Sequence, residues 1–396
     1  MNASVTLRSL KVASLVATGL FGLSGVTPLS AQTQVVQTNL VSDGAVPAAT
    51  IDPNLVNPWG LTHSPTSPFW ISDNGAGVST LYNGAGTKVP LTVTIPPPTG
   101  STGTAAPTGV VFNGNAGSFQ VTSGGKTGTS AFIFSTEDGT ISGWSPTVNG
   151  THAILAADES GLGAGAVYKG LAIASTAGGN FIYATDFRNG LVEQFDSSFN
   201  LVRSFTDAGV APGFAPFGAQ VLDGHLFVTY ALQDAAKHDD VAGAGNGYVD
   251  IFNFDGTLFQ RLVSQGGAVN SPWGLDIAPA GFGDAAGKLL VGNFGDGTIS
   301  IFDLLTGNFM GKLLGQDGNP VDIDGLWALM NGNGGNAGDP SKVYFTAGLN
   351  GEQDGLFGSL SAVPEPSSWA LMLFGFGAVA VAIRRKRNVG PLPQLA

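Results

Sequence analysis

The chain has 396 residues, of which 60 are Gly and 22 are Pro, and 11% are charged against 43% hydrophobic. This composition excludes a long helical coiled coil and an intrinsically disordered chain. The lack of cysteine excludes disulfide scaffolds and thiolate metal sites. Residues 32–362 carry 10 basic and 27 acidic side chains, a net charge of −17, which disfavours nucleic acid as a partner.

The first 31 residues have the layout of a secretory signal peptide. Arg8 and Lys11 precede an apolar run from Val12 to Val26, and the small residues Ser30 and Ala31 follow. A basic start, an apolar centre and a small-residue end are the three parts of a cleaved export signal. We expect cleavage after about Ala31, and the alternative interpretation is an uncleaved membrane anchor.

A glycine that opens an apolar strand recurs through residues 32–362. The spacing between successive glycines is 48 to 61 residues, which is typical of the blades of a propeller rather than of a solenoid. The six glycines are Gly60, Gly109, Gly170, Gly218, Gly274 and Gly325. The pattern predicts six repeated units in one domain.

The third unit shows the repeat most clearly. Apolar runs at 170–174, 181–186, 191–196 and 201–205 predict four strands. Asn189 and Gly190 separate the second run from the third and predict a type I′ hairpin turn. Four strands in each of six units predict an all-β, six-bladed β-propeller, and residues 34–42 could supply a strand that closes the ring.

These units resemble NHL-type propeller repeats. The resemblance rests on the Gly-apolar inner strand, the second strand ending in Ala184-Thr185-Asp186, and the third strand ending in Phe195-Asp196. The whole chain also resembles an uncharacterised family of secreted propellers that often carry a C-terminal sorting segment. The resemblance implies a fold and a destination but no activity.

The residue before each repeated glycine is a candidate ligand contact. Inner strands converge at the central channel, so these six side chains should form a ring at one mouth. Aromatic members could stack on a sugar, while polar members fix its orientation. The alternative is that the aromatic residues serve the packing of the blades. The ring comprises Trp59, Thr108, Lys169, Phe217, Trp273 and Asp324.

Acidic and amide residues at the ends of second strands suggest a metal site. Such oxygen ligands could hold Ca²⁺ or another divalent ion at the channel mouth, as in gluconolactonase-like propellers, which the pattern resembles. The alternative is that they shape tight turns. No other cofactor is indicated. The candidate metal ligands are Asp73, Asp186, Asn293 and Asp324.

One loop joins a histidine to two carboxylates. The run Lys237-His238-Asp239-Asp240 offers a metal ligand or a general base. The alternative interpretation is a solvated loop without chemistry. No Gly-x-Ser-x-Gly nucleophile elbow occurs in the sequence, so a recognisable catalytic triad is not predicted.

The C-terminal segment, residues 363–387, resembles the PEP-CTERM sorting signal. Pro364, Glu365 and Pro366 precede an uncharged apolar run, 369–383, which predicts a hydrophobic helix. A basic cluster closes the segment and should hold residues 388–396 in the cytoplasm. The alternative is a simple membrane anchor. The cluster comprises Arg384, Arg385, Lys386 and Arg387.

The sorting resemblance implies processing by an exosortase, a membrane transpeptidase of Gram-negative bacteria. We therefore expect export, a transient inner-membrane anchor, and delivery to the cell envelope, the outer surface or the extracellular matrix. The first functional hypothesis is a binding or structural module for an extracellular polysaccharide or an envelope protein. The alternative is a metal-dependent, lactonase-like hydrolase that uses the channel mouth. A scaffold for a basic protein partner is a third hypothesis.

Overall fold

The computed structural model describes residues 33–161 and 163–363. The predicted signal peptide and the sorting segment from Pro364 onward lie outside the described residues. Six sheets of four or five strands, all antiparallel except for one parallel pair in the last sheet, are arranged as the blades of a propeller, which confirms the predicted fold. Among the described residues, no helix is both long and apolar enough to cross a membrane.

The first three blades follow one another along the chain. Blade one contains β3 (Pro58–Thr62), β4 (Phe69–Asp73), β5 (Val78–Tyr82) and β6 (Lys88–Thr94). Blade two contains β7 (Pro107–Phe112), β10 (Phe132–Thr136), β11 (Thr140–Trp144) and β12 (Ile154–Asp158), with a separate hairpin of β8 (Gln120–Ser123) and β9 (Lys126–Thr129) inserted in the chain after β7. Blade three contains β13 (Tyr168–Thr176), β14 (Gly179–Asp186), β15 (Leu191–Phe195) and β16 (Leu201–Phe205).

The last three blades complete the ring. Blade four contains β17 (Phe214–Leu222), β18 (His225–Leu232), β19 (Tyr248–Phe252) and β20 (Leu258–Val263). Blade five contains β21 (Pro272–Ile277), β22 (Leu289–Asn293), β23 (Ile299–Phe302) and β24 (Phe309–Lys312). Blade six contains β25 (Leu326–Asn331), β26 (Val343–Gly348), β27 (Asp354–Ala362), β1 (Val35–Ser42) and β2 (Thr50–Ile51). Short helical turns occur at Asn74–Ala76, Gly283–Ala285 and Leu349–Glu352.

The N-terminal strand closes the ring, as the sequence predicted. Strand β1 pairs antiparallel with β27, with Val35 opposite Ala362. The last blade is therefore built from both ends of the propeller domain. Closure of this kind joins the two termini and leaves no unpaired blade at the seam.

Hydroxyl side chains on second strands hold neighbouring blades together. The Thr185 Oγ1 accepts a hydrogen bond from the Gly170 N–H at 2.7 Å and donates to the Phe217 carbonyl of the next blade at 2.6 Å. Thr346 makes the same pair of bonds, accepting from the Ala328 N–H at 3.1 Å and donating to the Trp59 carbonyl at 2.5 Å. Buried backbone groups at the axis thus gain partners from an adjacent blade.

The inner-strand glycines allow the blades to approach closely. A Cβ atom on Gly170 would lie 2.8 Å from both the Phe217 carbonyl oxygen and the Ala219 nitrogen. A Cβ at that distance would overlap the neighbouring backbone, which explains the glycine at position 170.

The predicted type I′ turn after β14 is wrong. That turn requires a positive φ at both central residues, but only Gly190 has one, at 71°. The chain instead makes a wider turn, in which the Gly190 N–H bonds the Asp186 carbonyl at 3.0 Å. The Asp186 Oδ1 stabilises the turn by accepting from the Asn189 N–H at 3.2 Å.

Candidate functional site

Five of the six predicted ring residues occupy equivalent places at the starts of inner strands. The sixth place belongs to Trp327 rather than to Asp324. In blade six the Ala328 N–H bonds Thr346, just as the Gly170 N–H bonds Thr185 in blade three. Ala328 therefore stands where the repeat has glycine, and the predicted repeat boundary at Gly325 is three residues too early.

Asp324 lies in the loop that precedes β25. Its side chain is exposed, and its Oδ2 accepts a hydrogen bond from the Asn350 N–H at 2.7 Å. Gly325 follows with a φ of 63°, a conformation that favours glycine. The glycine that suggested a repeat start thus serves a loop.

Aromatic rings from several blades cluster at this mouth. Trp59 stacks on Trp327 with ring centroids 3.6 Å apart, and Phe294 also stacks on Trp327 at 4.0 Å. Trp273 meets Trp59 edge-on at 6.3 Å, and the Phe217 centroid lies 5.9 Å from that of Trp327. We call this cluster the aromatic plug, and with Phe187 it comprises Trp59, Phe187, Phe217, Trp273, Phe294 and Trp327.

Burial shows which ring residues can face a ligand. Trp59, Phe217 and Trp327 are at most 1% exposed, so their faces pack against each other. Trp273 is only partly buried. Thr108 is buried and donates to the Tyr168 carbonyl of blade three at 2.8 Å, which is a contact between blades. Lys169 is also only 1% exposed, so Trp273 is the one predicted member at an inner-strand start that keeps exposed surface.

Lys169 lies directly on the plug and joins three remote parts of the chain. Its Nζ donates to Glu137, which follows β10, and to the Asp239 Oδ1 at 3.2 Å. The same ammonium lies 5.0 Å from the centre of the Trp59 ring, within range of a cation–π contact. Burial lowers the pKa of Lys169, but Glu137 and Asp239 outweigh burial and hold its pKa above the usual value. The side chain is therefore a fixed positive charge.

The loop between β18 and β19 brings a histidine to this position. The His238 Nδ1 lies 2.8 Å from the Asp239 Oδ1, and this hydrogen bond raises the pKa of His238 and lowers that of Asp239. The Asp234 Oδ1 accepts from the His238 N–H at 2.8 Å and so orders the loop. The Asp239 side chain is 67% exposed, which places this pair at the solvent edge of the site.

A chain of amide and carboxyl groups extends from Lys169 across the mouth. The Asn74 Nδ2 donates to the Glu137 Oε2 at 2.9 Å, and the Asn57 Nδ2 donates to the Glu352 Oε2 at 2.7 Å. Asn57 links the two halves, since its Nδ2 also lies 3.3 Å from the Asn74 Oδ1. Burial raises the pKa of Glu352, and the nearby Glu137 adds to this effect.

We call this set the polar network. It rests on the plug, because the Trp327 Nε1 donates to the Asn57 Oδ1 at 3.1 Å and the Trp273 Nε1 donates to the Lys169 carbonyl at 3.1 Å. The network is one connected set of hydrogen bonds on a rigid aromatic floor. Asn57 and Lys169 are buried within it, and Asp239 is exposed at its edge. Its members are Asn57, Asn74, Glu137, Lys169, His238, Asp239 and Glu352.

The four predicted metal ligands lie in separate environments. Asp73 is fully buried in blade one, and burial raises its pKa well above the usual value, which favours its neutral form. Asp186 and Asn293 support local structure: the Asp186 Oδ1 accepts from the Val167 N–H at 3.2 Å, and the Asn293 Oδ1 accepts from the Asn270 N–H at 3.0 Å. Asp324 is the exposed loop residue described above.

Another set of residues has the composition of a metal site. One ligand atom each of Glu137, His238 and Asp239 lies within 4.8 Å of the others. The Lys169 ammonium contacts both carboxylates of this set, so a positive charge already occupies the position between them. A divalent ion fits here only if it displaces Lys169.

The sequence had indicated part of this site. Glu137 and Asn74 directly follow second strands, where the sequence indicated acidic and amide residues, and the His238 loop was indicated as a histidine among carboxylates. The role of Glu352 carried no sequence pattern, because it lies in a turn 295 residues away from its partner Asn57.

Residues 362–387 match the PEP-CTERM protein-sorting motif, which confirms the prediction made from Pro364–Pro366 and the basic cluster. The match implies recognition by an exosortase, export, and sorting to the cell envelope.

Two relatives of this chain come from one virus. The uncharacterised protein R648 of Acanthamoeba polyphaga mimivirus is 34% identical over 328 residues, covering 81% of this chain and 78% of R648. The uncharacterised protein L690 of the same virus is 32% identical over 328 residues, covering 81% of this chain and 84% of L690.

A solved structure supports the fold alone. The soluble aldose sugar dehydrogenase of Escherichia coli, in its apo form, superposes with a TM-score of 0.50 at 13% identity, covering 83% of this chain and all of that chain. Fold similarity at this identity assigns no activity. The sequence similarity over most of both chains does assign a family: this chain belongs to the same family as the mimivirus proteins R648 and L690.

Proposed function

We propose that this exported protein is a carbohydrate-binding module of the cell envelope or extracellular matrix, and that the polar network at the plugged mouth recognises a hydroxyl-rich polysaccharide. The observation that carries the proposal is the connected polar surface fixed on stacked aromatic rings. Groups held in place before binding lose little conformational freedom when a ligand arrives, which favours affinity. The sorting motif supports the proposal by delivering this surface to the envelope.

The chemistry of the mouth favours sugar hydroxyls over anions. Amide groups can both donate and accept, and carboxylates accept from paired hydroxyls. Trp273, which is only partly buried, offers an apolar surface beside them. The propeller domain carries a net charge of −17, so an anionic polysaccharide would meet long-range repulsion. A neutral polysaccharide is therefore the proposed ligand class.

Binding of the full chain to an array of neutral and anionic oligosaccharides tests this proposal. We expect binding to neutral sugars, and Glu352→Gln should weaken it about tenfold because the variant loses a charged acceptor. The matched control is Asp223→Asn, at an exposed turn of blade four. Equal affinity of the wild type and Glu352→Gln would place the ligand elsewhere on the surface.

A metal-dependent hydrolase is the second candidate, favoured by the proximity of Glu137, His238 and Asp239. For this function a divalent ion must replace the Lys169 ammonium. A hydrolase of this kind would lose thermal stability and activity towards lactones in chelator. Under the binding proposal chelator changes neither the sugar affinity nor the melting temperature of the wild type. Lys169→Met removes the charge that competes with a metal ion, so Ca²⁺ or Zn²⁺ should raise the melting temperature of this variant.

A further inference from the structure

Large apolar side chains are exposed on the outer strands of blades four and five and on the turn that leads into the outer strand of blade five. Leu305 is 86% exposed, Phe259 is 57% exposed and Phe309 is 48% exposed. Adjacent apolar groups exposed to this degree usually mark an interaction surface. We call this surface the apolar rim, and it comprises Leu258, Phe259, Leu305, Phe309 and Met310.

The rim is continuous across the two blades. The Gln260 Nε2 of β20 donates to the Leu305 carbonyl of blade five at 3.3 Å. This bond places the Leu305 turn beside the strand that carries Leu258 and Phe259. Phe309 lies on the next strand of blade five, where its ring centroid is 5.6 Å from that of the buried Phe302. Phe309 is therefore held on a stable sheet edge, and the Phe259 ring lies 4.5 Å from the ring of His225 in its own blade.

The described chain ends close to the rim. The Val363 N–H donates to the Gln34 carbonyl at 2.8 Å, and Gln34 forms a parallel bridge with Leu314. Neighbouring strands lie about 5 Å apart, so Val363 is roughly 10 Å from Leu314. Met310 lies four residues before Leu314, which separates these two residues by about 13 Å along the strand direction.

The sorting segment cannot extend far from this point. Only residues 364–368 separate Val363 from the uncharged apolar run 369–383. A fully extended chain of this length reaches about 20 Å at most. If the apolar run enters a bilayer, the surface of that bilayer lies about as close to Val363 as Met310 does, the rim residue nearest to Val363 along this path.

We propose that the apolar rim rests on the outer surface of the lipid bilayer that holds the sorting segment, with Phe259, Leu305 and Phe309 inserted among the headgroups. The proposal rests on membrane insertion of residues 369–383. Charge at the rim suits a zwitterionic surface, because Lys288 pairs with Asp303 at 2.7 Å and Lys312 lies 3.6 Å from Asp296. Contact with the bilayer orients the propeller edge-on and keeps its axial mouth open to solvent.

The absence of cysteine allows a direct test. Leu305→Cys and Phe259→Cys are labelled with an environment-sensitive dye in the full chain, which is reconstituted into phosphatidylcholine vesicles containing a spin-labelled lipid. The matched control is Lys126→Cys, an exposed position in the hairpin of blade two on the far side of the ring. We expect lipid quenching at positions 259 and 305 to be about twofold or more above that at 126.

Each other outcome overturns the proposal in a distinguishable way. Equal quenching at all three positions in vesicle-bound protein would remove the rim contact but leave membrane insertion standing. Protection of positions 259 and 305 from aqueous iodide without lipid quenching would assign the rim to the apolar segment of the chain itself or to a second copy. Failure of the labelled chain to float with vesicles would remove membrane insertion and the rim contact together, without affecting sugar binding.

Discussion

Lys169 acquires its role from residues that are remote in sequence. Its local neighbourhood, Lys169-Gly170-Leu171, marks only the start of an inner strand. In the folded protein Glu137, Asp239 and the Trp59 ring surround its ammonium. A buried charge is tolerated only when nearby groups compensate for its lost hydration, and removal of one partner leaves the others uncompensated.

Lys169→Met should therefore lower the free energy of unfolding by about 3 kcal/mol, since Glu137 would lose its buried counter-ion. Urea unfolding followed by tryptophan fluorescence measures the effect. Lys126→Met, at an exposed hairpin position, is the control and should change stability by less than about 0.5 kcal/mol. An equal, small effect of both substitutions would contradict a compensated charge at position 169.

Glu193 illustrates a second consequence of burial for a single residue. It is 8% exposed and its Oε2 accepts from the Tyr168 hydroxyl at 2.6 Å. Burial raises the pKa of Glu193 to about 7, although the Tyr168 hydrogen bond opposes the shift. The folded state thus binds the Glu193 proton more tightly than the unfolded chain does. The contribution of this proton to the free energy of unfolding is fully present below pH 4.5 and is lost as pH rises through about 7.

Glu193→Gln keeps an acceptor for Tyr168 but does not titrate. Between pH 5 and pH 8 the free energy of unfolding of the variant should rise by roughly 2–3 kcal/mol relative to that of the wild type, because only the wild type must ionise a buried carboxyl. Denaturant unfolding at the two pH values gives this difference. A difference between variant and wild type that does not change with pH would show that Glu193 ionises normally in the folded protein.

At the scale of elements, a hydroxyl on the second strand of a blade joins that blade to the next one. Thr185 and Thr346 use one hydroxyl to join the inner strand of their own blade to that of the next. The position of this hydroxyl identified Ala328 as the equivalent of the repeated glycine. Hydrogen-bond pattern is a better guide to blade register than the glycine itself, because glycine also occurs in loops such as that of Gly325.

Thr346→Val should cost about 1–2 kcal/mol of folding free energy, since the Trp59 carbonyl and the Ala328 N–H lose a buried partner. Thr346→Ser retains the hydroxyl and is the matched control. Thermal and urea unfolding of the two variants provide the comparison. Equal stability of the valine and serine variants would show that side-chain packing, rather than the hydrogen bonds, holds blade six to blade one.

At the scale of the whole molecule, destination and binding surface are separate features. The sorting motif spans residues 362–387, whereas the polar network is assembled from an inner strand and loops of several blades. Recognition by an exosortase can thus act on the end of the chain without altering the mouth. The rim, by contrast, links the two features, because its position relative to Val363 determines how the propeller faces a membrane.

Replacement of Pro364, Glu365 and Pro366 by alanine should block processing and leave the uncleaved protein in the membrane fraction. Cell fractionation and mass spectrometry of the C-terminal peptide measure this outcome in a host that contains an exosortase. The purified variant should bind sugar as well as the wild type does. Normal processing of the alanine variant would show that recognition depends on the apolar run or the basic cluster instead.

Local patterns in the sequence were sufficient for the architecture and the sorting motif. The repeated glycines and alternating strands predicted six blades, and residues 34–42 offered a strand to close the ring. The sorting motif was predicted from one contiguous segment. The structure and the comparisons confirm these three predictions. The function of the mouth stays a proposal.

Contacts between distant residues were decided only by the tertiary structure. Trp327 rather than Asp324 completes the ring, and Lys169 meets Asp239 across 70 residues of sequence and Asn57 meets Glu352 across 295. A repeat written along one chain determines strands and turns because their hydrogen bonds join near neighbours. Side chains at the channel axis come from different blades, so their partners, burial and charge state are set by ring closure.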